Sequence, residues 1–457
     1  KTYGRVKNKH LYKCIPDDSR IPIFVVPYEI KRLGFSKSID NIYVTIKYES
    51  WDDKHPKGSI LQNLGSVEIP HNFYEYQLYC KSLNNSMQKF NKDTNNSLHD
   101  NNYDTLVHNA LHAQNSLIQD RTEIRIFSID PSSSLDFDDA FSIQYLENNC
   151  KKISIYIANV TILIDILQLW SSFSQRVSTI YLPDRKRPML PSILSDKLSS
   201  LQAKTKRFAF AMDITIDIDN NITNITYHNC VISVHTNFAY ESKELLQFKD
   251  YNKLFQTVQL LIPKHTYLQH VNDSHDLVTY LMMTMNHHCA LDLKSFNNGI
   301  FRSTVECGNS NYEMPNDTPN EVTKFIQSWG NTCGQYVDIK IAGENNITHS
   351  IIGLDAYVHI TSPIRRLVDI LNMIKIQQNH NLIHLSTEAN NFYEHWVSKL
   401  EYINTTMRSI RKIQNNCSLL HECSTNPGIL EKIYDGYCFD KLPRTDGFFQ
   451  YNIFLPE

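Results

Sequence analysis

Four aspartates, Asp130, Asp136, Asp138 and Asp139, fall in one short run, Ser-Ile-Asp-Pro-Ser-Ser-Ser-Leu-Asp-Phe-Asp-Asp-Ala-Phe-Ser, at residues 128–142. Crowded carboxylates repel, and some must protonate unless cations hold them. Hard divalent cations such as Mg²⁺ take oxygen ligands of this kind. Glu123-Ile-Arg-Ile-Phe-Ser-Ile predicts a strand entering the run, and Ala140-Phe-Ser-Ile-Gln-Tyr a strand leaving it. The fold must therefore bring two strands together with the carboxylates on the loop between them, a frequent place for a metal site. Asp-Pro-Ser-Ser-Ser is also good turn chemistry, so on this run alone a solvated acidic turn stays open. An EF-hand calcium loop does not fit. It needs Gly at its sixth position, and counting from Asp136 puts Phe141 there.

A chain of 457 residues has room for about three domains. The net charge of −3 leaves any nucleic-acid-binding surface local rather than global. The ten cysteines form no C-x-x-C pair and no zinc-type His/Cys spacing, which points to reduced thiols and a cytoplasmic location, with nucleus or virion as alternatives. The most apolar stretch, residues 153–170, is interrupted by Asn159, Asp165 and Gln168, so no membrane span is expected. The chain starts at Lys1, not Met, inside a β-like run, as a piece of a longer protein would.

The predicted class is α+β. Residues 1–81 alternate β-like runs such as Ile21-Pro-Ile-Phe-Val-Val and Ile42-Tyr-Val-Thr-Ile-Lys-Tyr, punctuated at Gly58 and Gly65, and predict a small β-barrel. Residues 82–118, rich in Asn, Ser, Asp and His, predict a linker with one short helix. Residues 119–416 predict a mixed domain, strands first and helices after Tyr240. Residues 417–457 return to β-like runs beginning with Gly428-Ile-Leu, too few for a closed barrel.

Two further blocks carry chemistry. In Tyr357-Val-His359-Ile-Thr-Ser-Pro-Ile-Arg365-Arg366, Ser362 and Pro363 predict a helix start with Arg365 in its first turn, where amides and a guanidinium can share one anion. Read blandly, it is a capped helix with two solvated arginines. The block Arg176-Val-Ser-Thr-Ile-Tyr181-Leu-Pro-Asp-Arg185-Lys-Arg187 joins an aromatic to a basic cluster, as in proteins that hold single strands. A buried tyrosine beside a solvated basic turn is the alternative. Arg408, Arg411 and Lys412 gather charge on one side of a later helix.

Taken in this order, the blocks resemble the RNB family of ribonuclease II, ribonuclease R and exosome-associated catalytic subunits. Asp-Pro-x4-Asp-x-Asp-Asp-Ala is that family's metal signature, and residues 176–201 and 357–366 match two more of its motifs. Asp18-Ser-Arg-Ile-Pro and Trp51…Pro56-x-Gly58 are similar to its cold-shock OB domain, and the tail to the start of its C-terminal OB-type RNA-binding domain. The resemblance implies processive 3′→5′ hydrolysis of single-stranded RNA to nucleoside 5′-monophosphates, with two Mg²⁺ ions and Mn²⁺ as a substitute. It implies metal ligation by Asp138 and Asp139, with Asp130 and Asp136 completing the cage or positioning metal-bound waters, a phosphate clamp at Arg365, and Tyr181 stacking on or orienting the terminal nucleotide. Tyr240, Arg176, Arg185, Arg187, Tyr357, His359, Ser362 and Arg366 are the further RNA-binding residues it implies. The partner implied is single-stranded RNA; an exosome-like or virion assembly is not readable.

The chain departs from the family at Asn159, where Asp is usual, at Thr279 and Tyr280, where a Glu-Glu pair is usual, at Met373-Ile374 in place of His-Arg, and at Gln414. The Asn-rich, Gly-poor composition fits an AT-rich genome or a large DNA virus. The rival to an active enzyme is an RNA-binding regulator on the same fold; a phosphodiesterase acting on DNA is a third reading. The four aspartates favour the enzyme, since a protein released from catalysis has no reason to keep crowded carboxylates at their electrostatic cost.

Overall fold

A computed structural model of the chain describes residues 5–6, 9–29, 41–100, 102–113, 117–265, 267–306, 318–319, 322–323, 325, 332–443 and 447–455. Lys1 lies outside them. The fold is α+β and forms two compact units, one of Lys1–Asn85, Ile180–Arg187 and Thr406–Lys432, the other of Ser86–Thr179, Pro188–Thr405 and Ile433–Glu457.

The first unit contains β1 (Arg5–Val6), β2 (Lys9–Cys14), β3 (Phe24–Tyr28), β4 (Ile42–Ser50) and β5 (Lys57–Ser66), in the sheet order β1-β2-β3-β5-β4. Among the described residues no ladder joins β4 to β1. Gly58 and Gly65, expected to punctuate strands, lie inside β5. A Cβ on Gly58 would sit 2.8 Å from the Lys47 carbonyl oxygen, and Gly65 has φ +109° where the β4–β5 register shifts. Glycine within a strand marks such a close approach or bulge. The Pro70–Cys80 helix follows and lays Tyr76 on Tyr43 of β4, with centroids 4.3 Å apart.

The second unit is built on a closed barrel of β6 (Ile118–Asp130), β7 (Asp139–Tyr145), β8 (Lys151–Ala158), β9 (Lys206–Ile216) and β10 (Ile222–Ala239), ordered β9-β10-β6-β7-β8. β10 runs parallel to β6, and every other pair is antiparallel. The period of two sorts its side chains. Phe127, Phe141, Ile155, Phe210 and Met212 join one core with Leu254, Leu281, Met285 and Cys289 of the Lys249–Leu261 and Ser274–Ser295 helices.

Alternate positions carry a polar set, in which Arg121 donates both Nη groups to Asp213, each at 2.8 Å. Burial pushes the Asp213 carboxyl up, but Arg121 outweighs it and the pKa is lowered. A carboxyl with a depressed folded-state pKa contributes stability that is complete above its unfolded value and is lost as pH falls through the folded one. Asp213→Asn should therefore flatten the acid limb of a thermal-midpoint curve taken from pH 7 down to pH 2.

Two local expectations are corrected. The described residues between 82 and 113 include two helices, Gln88–Asp100 and Tyr103–His112, where a linker with one short helix is expected, because Phe90 and Val107 are buried and Asn102 caps the second by accepting from the Asp104 N–H. The tail does not turn to strands at Cys417. The Leu400–Thr425 helix runs through it, Gly428 lies in a 3₁₀ turn, and the described strands of the tail are Tyr437–Pro443 and Phe449–Phe454. Asn159 is 2 % exposed and joins a buried amide network. Its Oδ1 accepts from Thr161 Oγ1 and the Ile162 N–H, capping the Val160–Ile166 helix, while its Nδ2 donates to Asn229 Oδ1 (2.9 Å). Gln377 closes the network by donating to Thr161 Oγ1 and accepting from Asn229. Asn159→Asp keeps the cap but turns a donor into an acceptor facing Asn229 Oδ1. A loss of about 1–3 kcal/mol is expected in urea unfolding.

Candidate active site

The four aspartates gather where β6 ends and β7 begins. Asp130 is the last residue of β6, and Asp139 the first of β7. The Asp130 carboxylate accepts from Ser128 Oγ (2.7 Å), which accepts in turn from Asn237 Nδ2 (2.8 Å) on the neighbouring β10. Burial pushes the Asp130 carboxyl up to about 7, with the Asp136 charge adding and the Ser128 hydrogen bond opposing. Asp138 is likewise pushed up to about 7 by burial, against the pull of Arg365 and the Ile364 N–H. Asp139 rises well above the ordinary carboxylate range through burial and the charges of Asp130 and Asp138. Its Oδ2 is buried and has no hydrogen-bond partner among the described residues.

The turn that brings Arg365 to this group is not the helix start that Ser362-Pro363 predicts. Residues 362–365 form a turn closed by the Arg365 N–H on the Ser362 carbonyl, and the helix begins at Leu367 with Arg366 as its extended cap. Two sets of contacts override the local signal. Arg366 pairs strand-like with Ser178, flanked by Thr179 N–H to Arg365 O and Leu367 N–H to Val177 O. The fully buried Asp369 carboxylate accepts from the Ser362 N–H (2.7 Å), Arg366 Nε (2.6 Å) and Arg366 Nη2 (2.9 Å). From this turn the Ile364 N–H donates to Asp138 Oδ1 (3.1 Å), and Arg365 Nε lies 3.4 Å from Asp138 Oδ2. The Arg365 side chain is 44 % exposed, with Nη2 donating to Ser362 Oγ.

Several residues expected to meet RNA turn inward. Arg366 is spent on Asp369. The Tyr357 hydroxyl accepts from Asn286 Nδ2, and His359 Nδ1 is hydrogen-bonded to the Tyr336 hydroxyl at 2.8 Å. Burial and the neighbouring Arg366 and Arg302 hold His359 far below its ordinary pKa, so the imidazole is neutral. Arg176 Nη1 donates to the Pro188 carbonyl (2.7 Å). Tyr280 is buried, its hydroxyl on the His265 carbonyl, while Thr279 is exposed. Tyr240, by contrast, lies beside the acidic group, its N–H on the Asp130 carbonyl oxygen (3.1 Å).

Tyr181, Arg185 and Arg187 belong to the first unit, on a short ladder that pairs Tyr181 with Lys186 and Ile180 with Arg187. Tyr181 is 41 % exposed. Arg187 is buried and donates to Glu75 (2.6 Å) and Asp184 (2.9 Å), so it braces the loop instead of offering a phosphate contact. The exposed Arg185 lies 3.3 Å from the same Glu75 oxygen.

A family profile described as RNB domain matches residues 118–253 and 242–381, more than half of the chain. This chain belongs to the RNB family. Among curated relatives it is 25 % identical over 368 residues to ribonuclease R of Chlamydia pneumoniae, covering 63 % of this chain and 53 % of that protein. The chain thus spans about half the length of that relative. In fold it is similar to Mycoplasma genitalium RNase R, solved in complex with double-stranded RNA, with TM-score 0.69 and 16 % identity over 94 % of this chain and 87 % of that one. It is also similar to yeast Ssd1, described as a pseudonuclease, with TM-score 0.64 and 14 % identity over 93 % of this chain and 59 % of that one.

The residues of this RNB chain fit a hard divalent cation. The donors are all carboxylate oxygens, the preferred ligands of Mg²⁺ and Mn²⁺, and the orphaned Asp139 Oδ2 is a buried acceptor that a cation would satisfy. No three of the four aspartates bring oxygens within 4.8 Å of one another. The described group that does, His71, Glu75 and Asp184, has its carboxylates already taken by Arg187. Asp369, Asn237 and Asn286 support the site, and sequence reading passed over them. Only Asp369 left a signal, an acid three residues after Arg366, the spacing at which helix side chains pair.

Proposed function

We propose that this chain is a Mg²⁺-dependent exoribonuclease that hydrolyses single-stranded RNA processively from the 3′ end and releases nucleoside 5′-monophosphates. The observation that carries the reading is Arg365, half exposed, with its Nε 3.4 Å from Asp138 at the edge of three desolvated aspartates, Asp130, Asp138 and Asp139. Bound divalent ions supply an activated water and neutralise charge at the phosphate. Asp138 and Asp139 would hold them, and Asp130 and Asp136 would complete the ligand set. Arg365 donates to the scissile phosphate, where guanidinium hydrogen bonds strengthen as charge develops. The Tyr240 segment steadies the terminal nucleotide, and Tyr181, in the first unit, is a separate stacking contact to the RNA. The family match and the likeness to ribonuclease R of Chlamydia pneumoniae support this reading.

Arg365→Ala should lower kcat by about 10²–10³-fold, measured at a temperature where circular dichroism shows the variant folded, because the change also removes the guanidinium that offsets the buried Asp138 charge. Product analysis on uniformly labelled RNA tests the reaction. Nucleoside 5′-monophosphates support it, and nucleoside 3′-phosphates overturn it. A second reading, an RNA-binding protein without cleavage, is favoured by the fold likeness to Ssd1; intact RNA retained in a stable complex would select it.

A further inference from the structure

The start of the Ser274–Ser295 helix is clasped to the chain just beyond β10. The Glu241 N–H donates to Ser274 Oγ (3.2 Å), and the Ser274 N–H donates back to the Glu241 carboxylate (2.7 Å). Glu241 itself is in the left-handed region, φ +52°, which bends the chain sharply after Tyr240. Asp273 caps the helix by accepting from the Asp276 N–H. The clasp sets its two neighbours face to face. The rings of Tyr240 and His275 have centroids 3.7 Å apart and planes 8° from parallel.

This stack stands beside the carboxylates, since the Tyr240 N–H is bonded to the Asp130 carbonyl oxygen. Tyr240 is half-buried and packs on the hydrophobic core that includes Phe238 and Leu277, whereas His275 is exposed. In a parallel pair each ring covers one face of the other. With its remaining surroundings in the core, Tyr240 has little ring surface to offer. Of the two stacked rings, it is His275 that is exposed to solvent.

We propose that His275 is the platform on which a base near the 3′ end of bound RNA stacks, with Tyr240 as its rigid backing rather than the contact itself. The inference rests on the exoribonuclease reading and names a residue outside all the matched motifs. Stacking tolerates any base because each has a π-face. It therefore suits an enzyme that advances through arbitrary sequence.

The test uses the full chain in EDTA, so that the strand is not cut. RNA oligonucleotides carry 5′-fluorescein and 2-aminopurine at the first, second or third position from the 3′ end. Anisotropy reports binding, and loss of 2-aminopurine emission reports stacking. The expected result is quenching at one of these positions, lost in His275→Ala together with about tenfold in affinity, and restored in His275→Phe. Circular dichroism checks that both variants fold. Binding without quenching in the wild type, or quenching that survives His275→Ala, overturns the platform and leaves the exoribonuclease reading standing. No RNA binding at all overturns both.

Discussion

Asp138→Asn is expected to lower cleavage by about a thousandfold or more while RNA binding persists. The change removes one negative charge from the ligand set and almost no volume. Its Oδ1 can still accept from the Ile364 N–H, so the turn that carries Arg365 keeps its anchor. The same change relieves a carboxylate that burial holds at about 7 against its ordinary acidity, beside Asp136 and Asp139. In EDTA the variant should therefore melt at or above the wild-type temperature, the stability–activity exchange common where acidic groups are crowded for function. Single-turnover cleavage, binding and melting on one preparation check all three parts. A variant that lost binding along with cleavage would show that Asp138 serves the architecture instead.

Asp369→Asn is expected to destabilise the second unit by about 3–5 kcal/mol, the usual cost of removing one partner of a buried pair. Asp369 is fully buried and neutralises Arg366, which is itself only 16 % exposed; burial disfavours that guanidinium charge, and Asp369 sustains it. The variant leaves Arg366 uncompensated and weakens the hold on the Ser362 N–H, which anchors the turn before Arg365. Cleavage should fall with stability, although Asp369 does not touch the phosphate. Urea unfolding measures the stability change. Cleavage at low temperature, where the variant remains folded, separates a displaced Arg365 from simple unfolding; unchanged stability would contradict the role assigned to the pair.

What the sequence revealed and what it hid divide along physical lines. The strands flanking the acidic run were legible because alternation and β-branched residues act locally, and the run itself stood out through charge crowding. The turn at 362–365 was misread because Ser-Pro is a sound local helix signal, overridden by Asp369 and by pairing with residues 177–179. Arg187 read as a nucleic-acid contact because its partner Glu75 lies far away in sequence, and Arg366 because solvation cannot be read from charge alone. The closed barrel depends on the parallel pairing of β10 with β6, a long-range contact without a local mark. His275 gave no warning, being a lone histidine until the Glu241–Ser274 clasp sets it on Tyr240. Asn159 looked like a lost acid and is instead the hinge of an amide network whose other members come from Asn229 and Gln377.

The central claim is tested most directly by incubating the full chain with single-stranded RNA labelled at its 5′ end, with Mg²⁺ or with EDTA. The account predicts a ladder that shortens to small 5′-labelled end products in Mg²⁺ and intact strand in EDTA. Intact RNA in both, carried in a complex that shifts on a native gel, would contradict it and leave an RNA-binding protein built on a nuclease fold.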